Sequence, residues 1–241
     1  MRVVTLAVTS LLAALSGAAS RAETVAIPDA REAVVQVISR GEGADPALIV
    51  GLHGYGASEP QIATLLPVEL DFPHVYVAVR APLALEDGGY AWFRFAAEAG
   101  GIVIAPGAVE RAVDDLATLL PRIAEATGAA SDDIHVVGYS QGGTLALALA
   151  LDRPEAVASV AAFAGALPSD LATPQATAPL PVLAAHGRLD PLISEQDIAL
   201  TRAMLAAAGR RVTPFDEGVP HVVGNAGRLR LQIWLADRLA D

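Results

Sequence analysis

The sequence predicts an α/β protein, with a mostly parallel central sheet flanked by helices on both faces. Three observations predict it. Apolar runs of strand length without polar alternation recur at 46–54, 74–82, 134–137 and 181–186, as in strands buried on both faces. Segments 107–127, 141–151, 194–208 and 225–240 read as helices. Strands alternating with helices imply right-handed crossovers and a covered parallel sheet. The 241 residues are 53% hydrophobic, which suits one well-buried domain rather than several.

Taken in order, residues 1–22, "MRVVTLAVTSLLAALSGAASRA", read as an export signal. Arg2 supplies the positive start, Val3 to Leu15 the apolar segment, and Ser20-Arg21-Ala22 a small-x-small cleavage pattern. The apolar part is short for a full membrane span, so cleavage is expected rather than anchoring. The domain then occupies residues 23–241, and its expected location is periplasmic or secreted, with the cytoplasm as the alternative. "ETVAIP" and "EAVVQVIS" follow as two short strands joined by a Pro-Asp turn. The helix at 107–127 carries Val109, Ala112, Val113, Leu116, Leu119 and Leu120 at helical spacing, and Gly128 is its stop signal. Further strands are expected at 157–163 and 211–215, the latter buried like the strands that precede Ser140 and Asp190.

Composition excludes several kinds of chemistry. The formal net charge of −11 argues against nucleic acid or anionic lipid as the main partner. The sequence holds no lysine, hence no Schiff base and no Walker-type phosphate loop. It holds no cysteine, hence no thiol nucleophile, thiolate metal site or disulfide. Covalent catalysis would have to use a hydroxyl or a carboxylate.

In parallel sheets ligands bind beyond the carboxyl ends of the strands. "IHVVGYSQGG" places Ser140 in a G-x-S-x-G pattern between a strand and a helix, the arrangement of a nucleophile elbow. The pattern alone is weak; its strand-turn-helix context makes it specific. The bland alternative is a structural turn serine. A serine nucleophile needs a base, and with the order serine, acid, histidine the base must come last. Of the five histidines, His74 and His135 open predicted strands remote from the site, and both read as structural. His186 reads as a group hydrogen-bonding the acid-bearing loop. His221, after "RVTPFDEGVP", is the only histidine beyond Asp190 and fits the base. Asp190 in "HGRLDPLI" stands immediately past a strand end and is favoured over Asp216 as the acid. For the two donors of an oxyanion hole, the backbone N–H of Gln141 and that of Tyr55, in "LHGYGAS", are expected, with His53 bracing the loop.

These residues carry a resemblance. "LIVGLHGYGAS", "GGYAWFRF", "IHVVGYSQGG", "PVLAAHGRLDPLI" and "GVPHVV", in this order, resemble the phospholipase/carboxylesterase group that includes acyl-protein thioesterases, bacterial carboxylesterases in particular. The resemblance spans 47–240. It implies an α/β-hydrolase fold without metal or organic cofactor, a triad at Ser140, Asp190 and His221, and oxyanion donors at Tyr55 and Gln141. It also implies that Trp92 lines an acyl pocket, whereas the residues alone equally fit a satellite of the core. The export signal departs from the cytosolic thioesterases and argues against palmitoyl-protein as substrate. "AAEAGGIVIAPGA" is either a flap or a linker.

The expectation is therefore a serine carboxylesterase acting on small-molecule esters. Rivals are a lysophospholipase, thioesterase or peptidase with the same machinery, and a ligand-binding protein that kept the fold without turnover. A metal site built on His53, His186 and Asp190 is a more distant rival.

Overall fold

The computed structural model describes residues 23–27, 34–98, 101–172 and 179–240. The export signal expected at 1–22 and the Pro-Asp turn expected at 28–29 lie outside the described residues. Eight strands form one sheet: β1 (Glu23–Ala26), β2 (Val34–Arg40), β3 (Ala47–Leu52), β4 (His74–Val79), β5 (Ile134–Tyr139), β6 (Ser159–Phe163), β7 (Pro181–Gly187) and β8 (Arg211–Glu217). Their order is β1-β2-β4-β3-β5-β6-β7-β8. From β4 through β3 to β8 every pairing is parallel; β2 runs antiparallel to both β1 and β4.

The uninterrupted apolar runs are explained by two buried faces. On one, Leu48, Val50, Val136, Val160 and Val182 pack in a core shared with α2 (Ala108–Thr127), α3 (Gln141–Asp152) and α4 (Glu195–Ala207). On the other, Ile49, Val137, Phe163 and Leu183 pack with Ile62 of α1 (Glu59–Leu65) and with Leu231 and Trp234 of α5 (Asn225–Leu239). A strand covered on both sides has no need of polar alternation. Helix α3 is buried from Gln141 to Leu151, which explains why its sequence is alanine and leucine with no polar stripe. The expected stop of α2 is present: Gly128, at φ 70°, donates its N–H to carbonyls of the last turn.

One expectation needs correction. The strand before His221 was expected to be buried, but β8 is the edge of the sheet and its residues are half-buried or exposed. Pro214 belongs there because an edge strand pairs on one side and loses little from a missing N–H. The segment left open between flap and linker contains an antiparallel hairpin, Phe95–Glu98 with Gly101–Ile104. A second small ribbon pairs Leu83–Ala84 with Tyr90–Ala91. Among the described residues no helix is long and apolar enough to cross a membrane.

Candidate active site

Strand β5 ends at Tyr139 and α3 begins at Gln141, so Ser140 alone makes the turn. It adopts φ 53° and ψ −118°, an uncommon conformation for a residue with a Cβ. Surrounding bonds hold it there: the Ser140 N–H donates to Phe163 O at 2.9 Å, and Ser140 O accepts the Thr144 N–H at 2.8 Å. The flanking glycines permit the close approach. A Cβ at Gly138 would stand 2.2 Å from Gly142 O, and one at Gly142 would stand 2.3 Å from Leu52 O.

The loops after β7 and β8 deliver the two partners. His221 Nε2 lies 2.9 Å from Ser140 Oγ, and His221 Nδ1 lies 2.6 Å from Asp190 Oδ2. The Asp190 side chain is fully buried, and its Oδ1 accepts the N–H groups of Leu192 (2.8 Å) and Ile193 (3.1 Å). A carboxylate can only accept, so the bond from His221 places the proton on Nδ1 and turns the Nε2 lone pair toward the serine. The two loops are zipped together by Arg188 N–H to Glu217 O (2.8 Å) and Leu189 N–H to Val219 O (3.1 Å). The Tyr139 hydroxyl adds a clamp by donating to His221 O at 2.7 Å. Burial, helped by the Asp190 charge, pushes that phenol's pKa upward and keeps the donor protonated.

The glycine-rich loop after β3 passes directly against the serine: a Cβ at Gly54 would stand 3.3 Å from Ser140 Cβ. The brace expected of His53 is present. Ala81 donates its N–H to His53 Nε2 at 3.0 Å, so Nδ1 carries the proton and donates to Gly54 O at 2.7 Å. Burial lowers the His53 pKa and favours this neutral form. Among the described residues no protein acceptor takes the N–H of Tyr55 or of Gln141.

Trp92, expected to face substrate, is 6% exposed. Its indole N–H donates to His53 O at 2.8 Å and its ring sits 5.4 Å from that of His53. What the structure displays is a brace between loops.

The rival acid Asp216 and the other histidines have different surroundings. Asp216 is gripped by Arg202, with bonds of 2.7 and 3.1 Å that hold its pKa down. His186 was expected to hydrogen-bond the Asp190 loop; instead its buried Nδ1 has no partner among the described residues, and burial lowers its pKa. His74 bonds to Phe72 O and Ser39, and His135 to Ser159 and Asp133, at the opposite ends of their strands. Both ring nitrogens of His53 are engaged by backbone, which removes it from the metal site considered above.

The phospholipase/carboxylesterase family profile matches residues 33–219, well over half of the chain. The chain belongs to this family. It is 40% identical over 89 residues to "Putative esterase NocK" of Nocardia uniformis subsp. tsuyamanensis; the match takes in 36% of this chain and 26% of that protein. The chain thus spans about a quarter of that relative's length. The crystal structure of the Bacillus cereus carboxylesterase superposes with a TM-score of 0.73 at 20% identity, covering 86% of this chain and 93% of that one. A carboxylesterase from Mesorhizobium loti gives 0.73 at 20% identity, covering 88% and 97%. These likenesses show the α/β-hydrolase fold.

Within this family frame, several supporting residues were not anticipated from sequence. Tyr139 stands between Gly138 and Ser140, and its position at the strand end aims its hydroxyl at the His221 loop. Gln61 takes the Gly54 N–H on its Oε1 at 2.8 Å. Glu59, fully buried, pairs with Arg80 at 2.7 and 2.9 Å beneath the same loop. None of the three carries a local sequence signal, because each acts on a partner distant in the chain or on backbone.

Proposed function

We propose that the protein is a serine carboxylesterase with an acyl-enzyme on Ser140. The observation that carries this reading is the continuous line Asp190–His221–Ser140, with separations of 2.6 and 2.9 Å. The Ser140 oxygen attacks the ester carbonyl carbon while His221 Nε2 takes its proton. Asp190 holds the imidazole in the tautomer that can accept it and stabilises the imidazolium that forms. The carbonyl oxygen becomes an oxyanion facing the N–H groups of Tyr55 and Gln141, with the α3 dipole aiding the latter. Collapse breaks the bond to the alcohol, which leaves with the proton from His221. Water then adds to the acyl-enzyme, giving its proton to His221, and the second collapse returns that proton to Ser140 and releases the acid.

Exposed apolar side chains flank these residues: Tyr55 on the oxyanion loop, Leu189 and Leu192 around Asp190, and Val222 beside His221. They support a substrate with an apolar acyl or alcohol part. The same machinery would cleave a thioester or a lysophospholipid, and a panel of such substrates separates these readings. The assignment is tested with Ser140→Ala: hydrolysis of p-nitrophenyl butyrate should fall by a factor of about 10⁴ or more, and wild-type turnover would refute it. Export after cleavage at Ala22 belongs to the same proposal, supported by the pattern of residues 1–22. Amino-terminal sequencing of the expressed protein should find Glu23 first.

A further inference from the structure

We infer that the side chain of Gln141, acting through Trp92, is the positioning residue that sets the separation of the two oxyanion donors. This rests on the esterase reading above. The donors belong to different loops, and the ladder between β3 and β5 that would hold them in register ends at the Leu52–Gly138 pair. Among the described residues no backbone hydrogen bond joins 53–55 to 140–141.

A side-chain circuit joins them instead. The Gln141 amide grips one strip at both of its ends: Oε1 accepts the Trp92 N–H at 2.9 Å, and Nε2 donates to Phe93 O at 2.7 Å. The Trp92 indole N–H then donates to His53 O at 2.8 Å. That carbonyl shares a peptide plane with the Gly54 N–H, which Gln61 holds at 2.8 Å. The next plane carries Gly54 O and the Tyr55 N–H on opposite edges. His53 Nδ1–H secures the Gly54 O edge at 2.7 Å, so the Tyr55 N–H points the other way. Both peptide planes of the loop are thus fixed by three side-chain bonds, and one of them, from the Trp92 indole, is tied through the Gln141 amide to α3, the helix that carries the Gln141 donor. Gln141, Trp92 and His53 are all at least nine-tenths buried, so water does not compete for these bonds.

Losing one oxyanion donor costs about 10²–10³ in rate, and misplacing a group by about 1 Å costs up to about 10². Trp92→Phe, which keeps an aromatic ring but removes the indole N–H, should lower kcat by about 10- to 100-fold. Gln141→Met, which keeps the length but removes both bonds, should do the same. KM should stay within about threefold, because the interaction is made with the transition state. Binding of a butyl trifluoromethyl ketone, whose hemiketal oxyanion occupies the same position, should weaken by the factor lost from kcat. Because the links are in series, the double variant should lose no more than the worse single one. Rates are normalised to Ser140 labelled to completion by a fluorophosphonate, which removes any unfolded fraction from the comparison. If either variant keeps kcat and ketone affinity within twofold of wild type, or if the losses multiply in the double variant, the inference is overturned. Should Gln141→Met yield no labelled protein, Trp92→Phe decides alone. Full activity of Ser140→Ala would instead refute the esterase reading, a result distinguishable from all of these.

Discussion

Asp190 and Asp216 both follow or end neighbouring strands near His221, and their surroundings separate them. Asp190 is buried, with one oxygen on two backbone N–H groups and the other on the imidazole. Asp216 is held by the Arg202 guanidinium and is partly exposed. Asp190→Asn should therefore lower kcat by about 10³- to 10⁴-fold by reversing the hydrogen bond that sets the tautomer. Asp216→Asn should leave kcat within a few-fold, and steady-state kinetics on one ester compares the two. Gly142 gives a second residue-scale prediction. A Cβ there would fall 2.3 Å from Leu52 O and 2.6 Å from His53 O, both backbone atoms that cannot swing aside. Gly142→Ala should cost about 3 kcal/mol or more of stability, read by denaturant unfolding. Ser140, Asp190 and His221 were legible because each stands just past a strand, where composition and order leave few candidates. His186 was misread as a hydrogen-bonding brace: its register beside Asp216 on β8 puts it among Arg202 and carboxylates, yet gives its Nδ1 no partner among the described residues. Register is a property of paired strands, and a single strand does not display it.

At the scale of elements, three connections build the site: the β5–α3 elbow and the loops following β7 and β8. The last is closed by Glu217, whose carboxylate accepts the N–H groups of Ala226 (3.3 Å) and Gly227 (3.1 Å) at the start of α5. The N-cap residue there is Gly224, which has no side chain to cap with, so Glu217 serves in its place. Glu217→Ala should lower stability by about 1 kcal/mol, while Glu217→Gln, which keeps an acceptor, should recover most of it. Urea titrations of the three proteins measure the difference. Long helices were legible, and their boundaries fall within two residues of expectation for α2, α3, α4 and α5. Helix α1 was not: it spans seven residues and buries Ile62 but has no recurring stripe. The edge position of β8 was not legible either, although Pro214 within it was a usable signal.

The whole molecule is a two-faced sheet that buries His53 and His186 in surroundings that favour their neutral form. His53 and His186 have folded pKa values below the ordinary 6.5, chiefly through burial. The unfolded chain therefore binds more protons than the folded one as pH falls below about 6.5, and the contribution of neutrality is lost toward the folded values. Unfolding free energy should decline from about pH 7 to pH 5, by at most about 1.4 kcal/mol per pH unit for each histidine. Asp133 and Asp216, held low by His135 and Arg202 respectively, act in a separate window: their contribution disappears only below about pH 4. A stability profile flat down to pH 5 would contradict the neutral assignments. The layered architecture was readable from the alternation of apolar runs and helical spacing, because burial on both faces leaves a direct mark on sequence. The links among Gln141, Trp92 and His53 were not, since they depend on packing between loops far apart in the chain. The central claim is a covalent intermediate on the residue at the elbow. Rapid quenching during p-nitrophenyl butyrate turnover, followed by peptide mass spectrometry, tests it most directly. One butyryl group should appear on the peptide containing Ser140, at the residue itself, and vanish on further incubation. An unmodified Ser140 throughout turnover, or a butyryl group on another side chain, would contradict it.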